Sequence, residues 1–260
     1  MHYNGLQLKF RRQSSQGLQF QVAYTYSKTL DEASGIATAD TARDAQASLD
    51  PENPARDYGR ASFDATHNVV INLSYPIPGH YEHKTAAFLL GGWEVSEITT
   101  LTSGLPFSAR LGFEQSNNGG GGRADRPNLA PGAKQNPTSG VGAGCAGLRA
   151  GDKLGTPDRW YDPCAFTLPA AGFYGTLGRN TLVGPGIRTF DFSLVKGFKV
   201  SERVNVQFRA EAFNIFNHAN FGLPASVPLA SNGSAVATAG RMTDTVGSAR
   251  QIQFALKMTF

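Results

Sequence analysis

The sequence predicts an all-β fold: part of an antiparallel transmembrane β-barrel, with about seven strands and long extracellular loops. Three observations predict it. First, the last residues, Arg250 to Phe260, alternate without a break between apolar (Ile252, Phe254, Leu256, Met258, Phe260) and polar or small (Gln251, Gln253, Ala255, Lys257, Thr259). That is a strand with one greasy and one wet face, ending on an aromatic residue as the closing strand of an outer-membrane barrel does. Second, 30 Gly, 14 Pro and 17 Phe with only 17% charged residues describe a loop-rich, aromatic, strand-built chain. No run approaches the roughly 18 apolar residues of a spanning helix. Third, the connections between alternating segments are short and long in turn, which is the sidedness of such barrels.

Leu6 to Arg12 places Leu6, Leu8 and Phe10 opposite Gln7, Lys9 and Arg11, and Ser14 to Gly17 turns the chain. Leu18 to Ser27 returns with Leu18, Phe20, Val22, Tyr24 and Tyr26 on one face, completing a hairpin. A polar stretch, about Lys28 to Arg60, offers little to fill a core and reads as a loop, with room for a short helix. Asn68 to Tyr75 alternates again until Pro76-Ile-Pro-Gly79 stops it, because proline cannot donate to a ladder. A turn region to Gly92 leads into Trp93 to Leu101. About Gly112 to Gly186 is crowded with Gly, Pro and Asn, including Gly119 to Gly122 in a row, and reads as a long extracellular loop. Arg188 to Lys199 and the segment from Val204 form a second tight hairpin about Ser201-Glu202, and a third long loop, about Asn217 to Ser248, precedes the final strand.

With Phe260 on the periplasmic side, the Ser14 to Gly17 turn, the Pro76 to Gly92 connection and the Lys199 to Arg203 turn all fall inside. Tyr75, Trp93, Phe198 and Phe260 then lie near the inner membrane interface, and Tyr24 and Tyr26 near the outer one, where amphipathic rings are expected. A soluble β-sandwich would explain the alternation equally well, but the loop asymmetry and the aromatic positions less well. An odd count of strands cannot close an up-and-down barrel with both ends in the periplasm, and open edges in lipid leave backbone groups unpaired. Met1-His-Tyr-Asn-Gly-Leu6 runs straight into strand pattern, where an exported chain would open with a basic stretch and an apolar core. The expectation is therefore that residues 1–260 are the C-terminal portion of an outer-membrane β-barrel domain, without plug domain or signal peptide.

The residues also carry a resemblance. Tyr3-Asn-Gly-Leu-Gln-Leu-Lys-Phe10, Tyr24-Thr-Tyr-Ser-Lys-Thr-Leu30, Phe63-Asp-Ala-Thr-His-Asn68, Gly91-Gly-Trp93 and Ser103-Gly-Leu-Pro-Phe107 resemble segments of the Oar-like branch of TonB-dependent outer-membrane receptors. So do Trp160-Tyr-Asp-Pro163, Gly178-Arg-Asn180, Gly184-Pro-Gly186, Arg209-Ala-Glu-Ala-Phe-Asn-Ile-Phe-Asn217 and the terminal strand, in matching order. The resemblance implies a barrel of about 22 strands around an N-terminal plug, driven by the TonB complex and importing a bulky ligand. It implies as partners outer-membrane lipid, the missing N-terminal barrel and plug, an extracellular ligand, and a barrel-assembly machinery that recognises a C-terminal signal, here Phe254, Leu256, Met258 and Phe260. A structural or adhesive outer-membrane barrel without transport is the alternative.

Other chemistry finds little support. Gly142-Ala-Gly-Cys-Ala-Gly147, with Asp162 beyond it, matches a dinucleotide fingerprint but stands inside a loop after Pro137-Thr-Ser-Gly140 instead of between a strand and a helix. His80-Tyr-Glu-His83 has no partner to complete a metal sphere, and His2, His67 and His218 are dispersed. No serine or cysteine stands in a nucleophile setting, so neither an enzyme nor a cofactor is expected. The net charge of +4 is scattered, which argues against nucleic acid. Cys145 and Cys164 share one predicted extracellular loop; a disulfide there would close about 20 residues and restrict the open chain by about 3 kcal/mol, the alternative being two unrelated buried thiols. Strict alternation also turns Glu97 toward lipid, which a bulge or an interfacial depth would relieve.

Overall fold

A computed structural model describes residues 1–15, 17–34, 48–79, 81–119 and 125–260. Seven long strands run through it: β1 (His2–Gln13), β2 (Gln19–Asp31), β3 (His67–Pro76), β4 (Trp93–Thr102), β5 (Ile187–Lys199), β6 (Asn205–Phe213) and β7 (Gln251–Thr259). Each pairs antiparallel with its neighbours in chain order, and the two-residue strand Gly59–Arg60 adds to the far end of β2. The sheet is thus a pure meander. Each predicted strand is present, β1 and β2 being longer than the alternation suggests.

Register turns seven local alternations into two continuous faces. Phe20, Leu73, Glu97, Phe192, Ala212 and Ile252 stand opposite one another in a single row across β2 to β7. Tyr75, Val95, Leu194, Ala210 and Phe254 form the next row on the same face. The reverse face carries Gln19, Ser74, Ser96, Ser193, Glu211 and Gln253 in one row. A one-residue slip anywhere would exchange the faces, so the pattern fixes the register. Among the described residues, β1 and β7 are each paired on one side only, and the sheet does not close on itself.

The hydrophobic core is not in the sheet. Phe107, Leu111, Tyr161, Phe166, Leu182 and Leu229 belong to one buried cluster made entirely from the long connections. The reading of these connections as plain coil is corrected accordingly: they fold together. Even the stretch between β2 and β3 contributes, with Leu49 and Ala61 buried and a 3-10 turn at Pro54–Asp57. Most of that stretch's middle, residues 35–47, lies outside the described residues, as do three of the four glycines from Gly119 to Gly122 and also His80.

Two further elements differ from the sequence reading. β2 continues through Lys28 to Asp31, because Ser27, Thr29 and Asp31 are buried under the folded connection, with the Thr29 amide donating to Asp64 Oδ1 at 2.8 Å. The turn between β3 and β4 contains a helix, α1 (Lys84–Leu90), absent from the sequence reading. After it, Gly92 takes φ 72, and a Cβ there would meet the Gly197 carbonyl oxygen at 2.3 Å, so only glycine lets the chain enter β4 beside β5. Glu97 sits in an unbulged stretch of ladder, so the relief imagined from a bulge is absent.

Candidate functional site: the polar face and its cap

The antiparallel order sends the three short connections to one end of the sheet and the three long ones to the other. At the long-loop end of the apolar face, Tyr24 Oη shares a hydrogen bond with His67 Nδ1 at 2.9 Å, and Tyr26 lies 5.4 Å from the same ring. At the short-turn end stand Tyr75, Trp93 and Phe198, and Lys196 Nζ lies 4.6 Å over the Trp93 ring. His67 and Tyr75 are eight residues apart on β3; at the rise and tilt of a barrel strand that separates the two aromatic levels by about 20 Å. An apolar band of that height matches the hydrocarbon layer an outer-membrane barrel spans. Phe254, Leu256 and Met258 extend the band along β7, and Phe260 ends it, 94% exposed.

The polar face is the other half of the site. Gln7, Lys9 and Arg11 on β1, Asn68 and Asn72 on β3, Gln207, Arg209 and Glu211 on β6 and Gln251, Gln253 and Lys257 on β7 all share it. At its long-loop end it runs beneath the folded connections. Arg179, from the connection after β4, donates to Asp31 Oδ1 at 2.8 Å, both side chains being about 5% exposed or less. Arg126, from the same connection, pairs with Asp57 at 2.7 Å and donates to the Leu177 carbonyl. Asp57 in turn accepts from Ser48 Oγ and the Leu49 amide. Such buried charges are tolerable only because each is paired and hydrogen-bonded.

The connection after β6 closes against the same cap. Arg159 donates to the Ala239 and Ala237 carbonyls, and the fully buried Tyr161 donates its hydroxyl to the Ala225 carbonyl at 2.8 Å. Burial pushes the Tyr161 phenol far above its ordinary value, against smaller opposing effects of Arg159 and a backbone hydrogen bond. Cys145 and Cys164 are joined by a disulfide within the cap, Cα atoms 5.6 Å apart. Under the cap, between β5, β6 and residues 246–249, is a cavity of about 460 Å³ whose walls include Thr189, Asp191, Phe213, Asn220 and Gln251.

The remaining sequence candidates are not brought together. Gly142 to Gly147 makes a small bridge between Cys145 and Leu148, and Asp162 accepts from the Ala143 and Cys164 amides, a loop-holding role. His83 precedes α1, His2 is near Tyr58, and His218 is held by Asn214. Among the described residues, no three His, Cys, Asp or Glu side chains converge as a metal site. The arginine–aspartate ties and Tyr161 went unnoticed in the sequence; Arg179 and Asp31 are separated by 148 positions, and no spacing signals such a pair.

A meander with an apolar outer band, two aromatic levels and a polar inner face under a cap defines the wall of an outer-membrane β-barrel. The chain belongs to the outer membrane beta barrel domain family, which it matches over residues 1–253, and its place is the bacterial outer membrane. No curated protein and no solved structure matches it.

Proposed function

We propose that this chain forms the C-terminal wall of the barrel of a TonB-dependent, Oar-like outer-membrane receptor, whose parent imports a bulky ligand. The single observation that carries the reading is the pair of edges, on β1 and β7, that have no partner among the described residues. In lipid, each unpaired backbone group on such an edge costs several kcal/mol, so further strands must close the wall. A closed wall of the capped type leaves the polar face lining a wide lumen, the geometry of plugged transporters. Ligand contact falls to the cap and the polar residues beneath it, and the chain carries no catalytic role and needs no cofactor. Its further partners are membrane lipid, the N-terminal barrel and plug, the TonB complex acting through that plug, and the barrel-assembly machinery reading Phe254, Leu256, Met258 and Phe260.

Reading the in-frame genomic DNA upstream of Met1 tests the proposal. An open frame encoding more alternating strands and a plug is the expected result. A stop codon and promoter immediately before Met1 would overturn transport by this chain and favour a structural or adhesive barrel assembled from several chains.

A further inference from the structure

The connection between β3 and β4, at the short-turn end of the sheet, carries the helix α1. It places Phe88, Leu89 and Leu90 of α1 in the open, 53%, 63% and 55% exposed. The contacts of α1 say which side of the wall it occupies. The Phe88 ring lies 5.5 Å from Phe198, Trp93 Nε1 donates to the Leu89 carbonyl at 3.1 Å, and Lys196 Nζ donates to the Leu89 and Gly91 carbonyls. Phe198, Lys196 and Trp93 all share the apolar face, since Trp93 stands opposite Lys196 in the ladder. The helix is therefore outside the barrel, at the level of the inner aromatic belt. At the same end of the sheet, Ile77 follows β3 and Val200 follows β5, 41% and 62% exposed, each in step with the apolar residues of its strand.

We propose that α1 is an interfacial anchor, lying in the inner leaflet of the outer membrane with Phe88, Leu89 and Leu90 at the boundary between phospholipid headgroups and acyl chains. Amphipathic helices bind at that depth by buried apolar area. One this short has little hold alone, but here the last carbonyls are already fixed by Trp93 and Lys196, so its ordering is supplied by the barrel. Lipid is the favoured occupant because the patch is continuous with a face that already contacts lipid. The inference rests on the membrane placement and not on transport, so it stands or falls separately from the receptor reading.

The test is spin-label accessibility in outer membranes from cells carrying the gene at its own locus. Labels are placed through Leu89→Cys and, as a second position, Leu90→Cys, with Leu73→Cys on the lipid face and Glu82→Cys ahead of the helix as references. The expected result is an oxygen-to-nickel-complex collision ratio at positions 89 and 90 well above that at 82 and below that at 73, which lies deeper along β3. A high nickel collision rate would put the helix in water and overturn the proposal. Low rates for both probes would mean a protein cover, from a second copy or a neighbouring segment, and would overturn it equally. The Leu73→Cys ratio establishes that the labelled barrel is folded in the bilayer.

Discussion

At the scale of single residues, Glu97 is a charged side chain in the outer band, where burial in hydrocarbon is costly. It faces outward between Leu73 and Phe192, four residues from the Trp93 level, and its Oε1 accepts from Thr99 Oγ1 on the same strand. Thr99 is buried, and this local hydrogen bond is what the chain offers in place of a bulge. A single neutral donor offsets only part of the desolvation of a carboxylate. Replacement of Glu97 by leucine is therefore expected to stabilise the membrane-folded barrel by about 1–2 kcal/mol, seen as a higher urea midpoint in phospholipid bilayers. A lower midpoint would mean that Glu97 meets a cation from elsewhere in the assembly.

At the scale of elements, two kinds of structure differ in how readable they are. The strands were legible because each has one face in hydrocarbon and one in a polar lumen, which writes a period of two directly into β3 or β7. The cap was not, because its core joins positions such as Phe107, Leu182 and Leu229 that share no period and meet only after the loops fold. α1 escaped for a related reason: seven residues are too few to display a helical repeat, and Phe88-Leu89-Leu90 reads as a mere apolar triplet. Of the site, the pairing of the two cysteines and the positions of the aromatic residues at the two ends of the sheet were foreseeable from loop membership and strand parity, whereas the long-range arginine–aspartate ties were not. One of those ties, Arg179–Asp31, docks the connection after β4 to β2. Arg179→Met leaves Asp31 buried without its charge partner, a loss of about 3–5 kcal/mol borne by the cap–sheet junction. The expected outcome is protease cleavage within residues 103–186 under conditions where the parent cap resists, with strand content by circular dichroism unchanged. Undiminished protease resistance would show that the hydrophobic cluster alone holds the cap.

At the scale of the whole molecule, the sheet and the cap are stabilised by different physics. The sheet relies on ladder hydrogen bonds in a medium without water, and the cap on a conventional buried core in water. Alkaline pH should separate them. Tyr161 is the central ring of the cap core, about 6 Å from both Phe107 and Phe166, and burial raises its phenol above the ordinary value of 10.0. With the folded value raised, the neutral phenol's contribution is fully present below about pH 10. Above it the opened cap gains by ionising Tyr161 while the closed cap does not, so closure weakens as pH rises. One proton released on opening corresponds to about 1.4 kcal/mol of lost cap stability per pH unit. Trp160, whose Nε1 donates to the Val183 carbonyl at 2.7 Å, reports the opening by fluorescence, and strand content should persist through it. In Tyr161→Phe the cap loses one hydrogen bond at every pH but also loses this proton-linked drive, so its stability should fall less steeply between pH 10 and 11 than that of the parent. Equal slopes would mean that Tyr161 ionises without opening the cap, and that the core admits water around the ring.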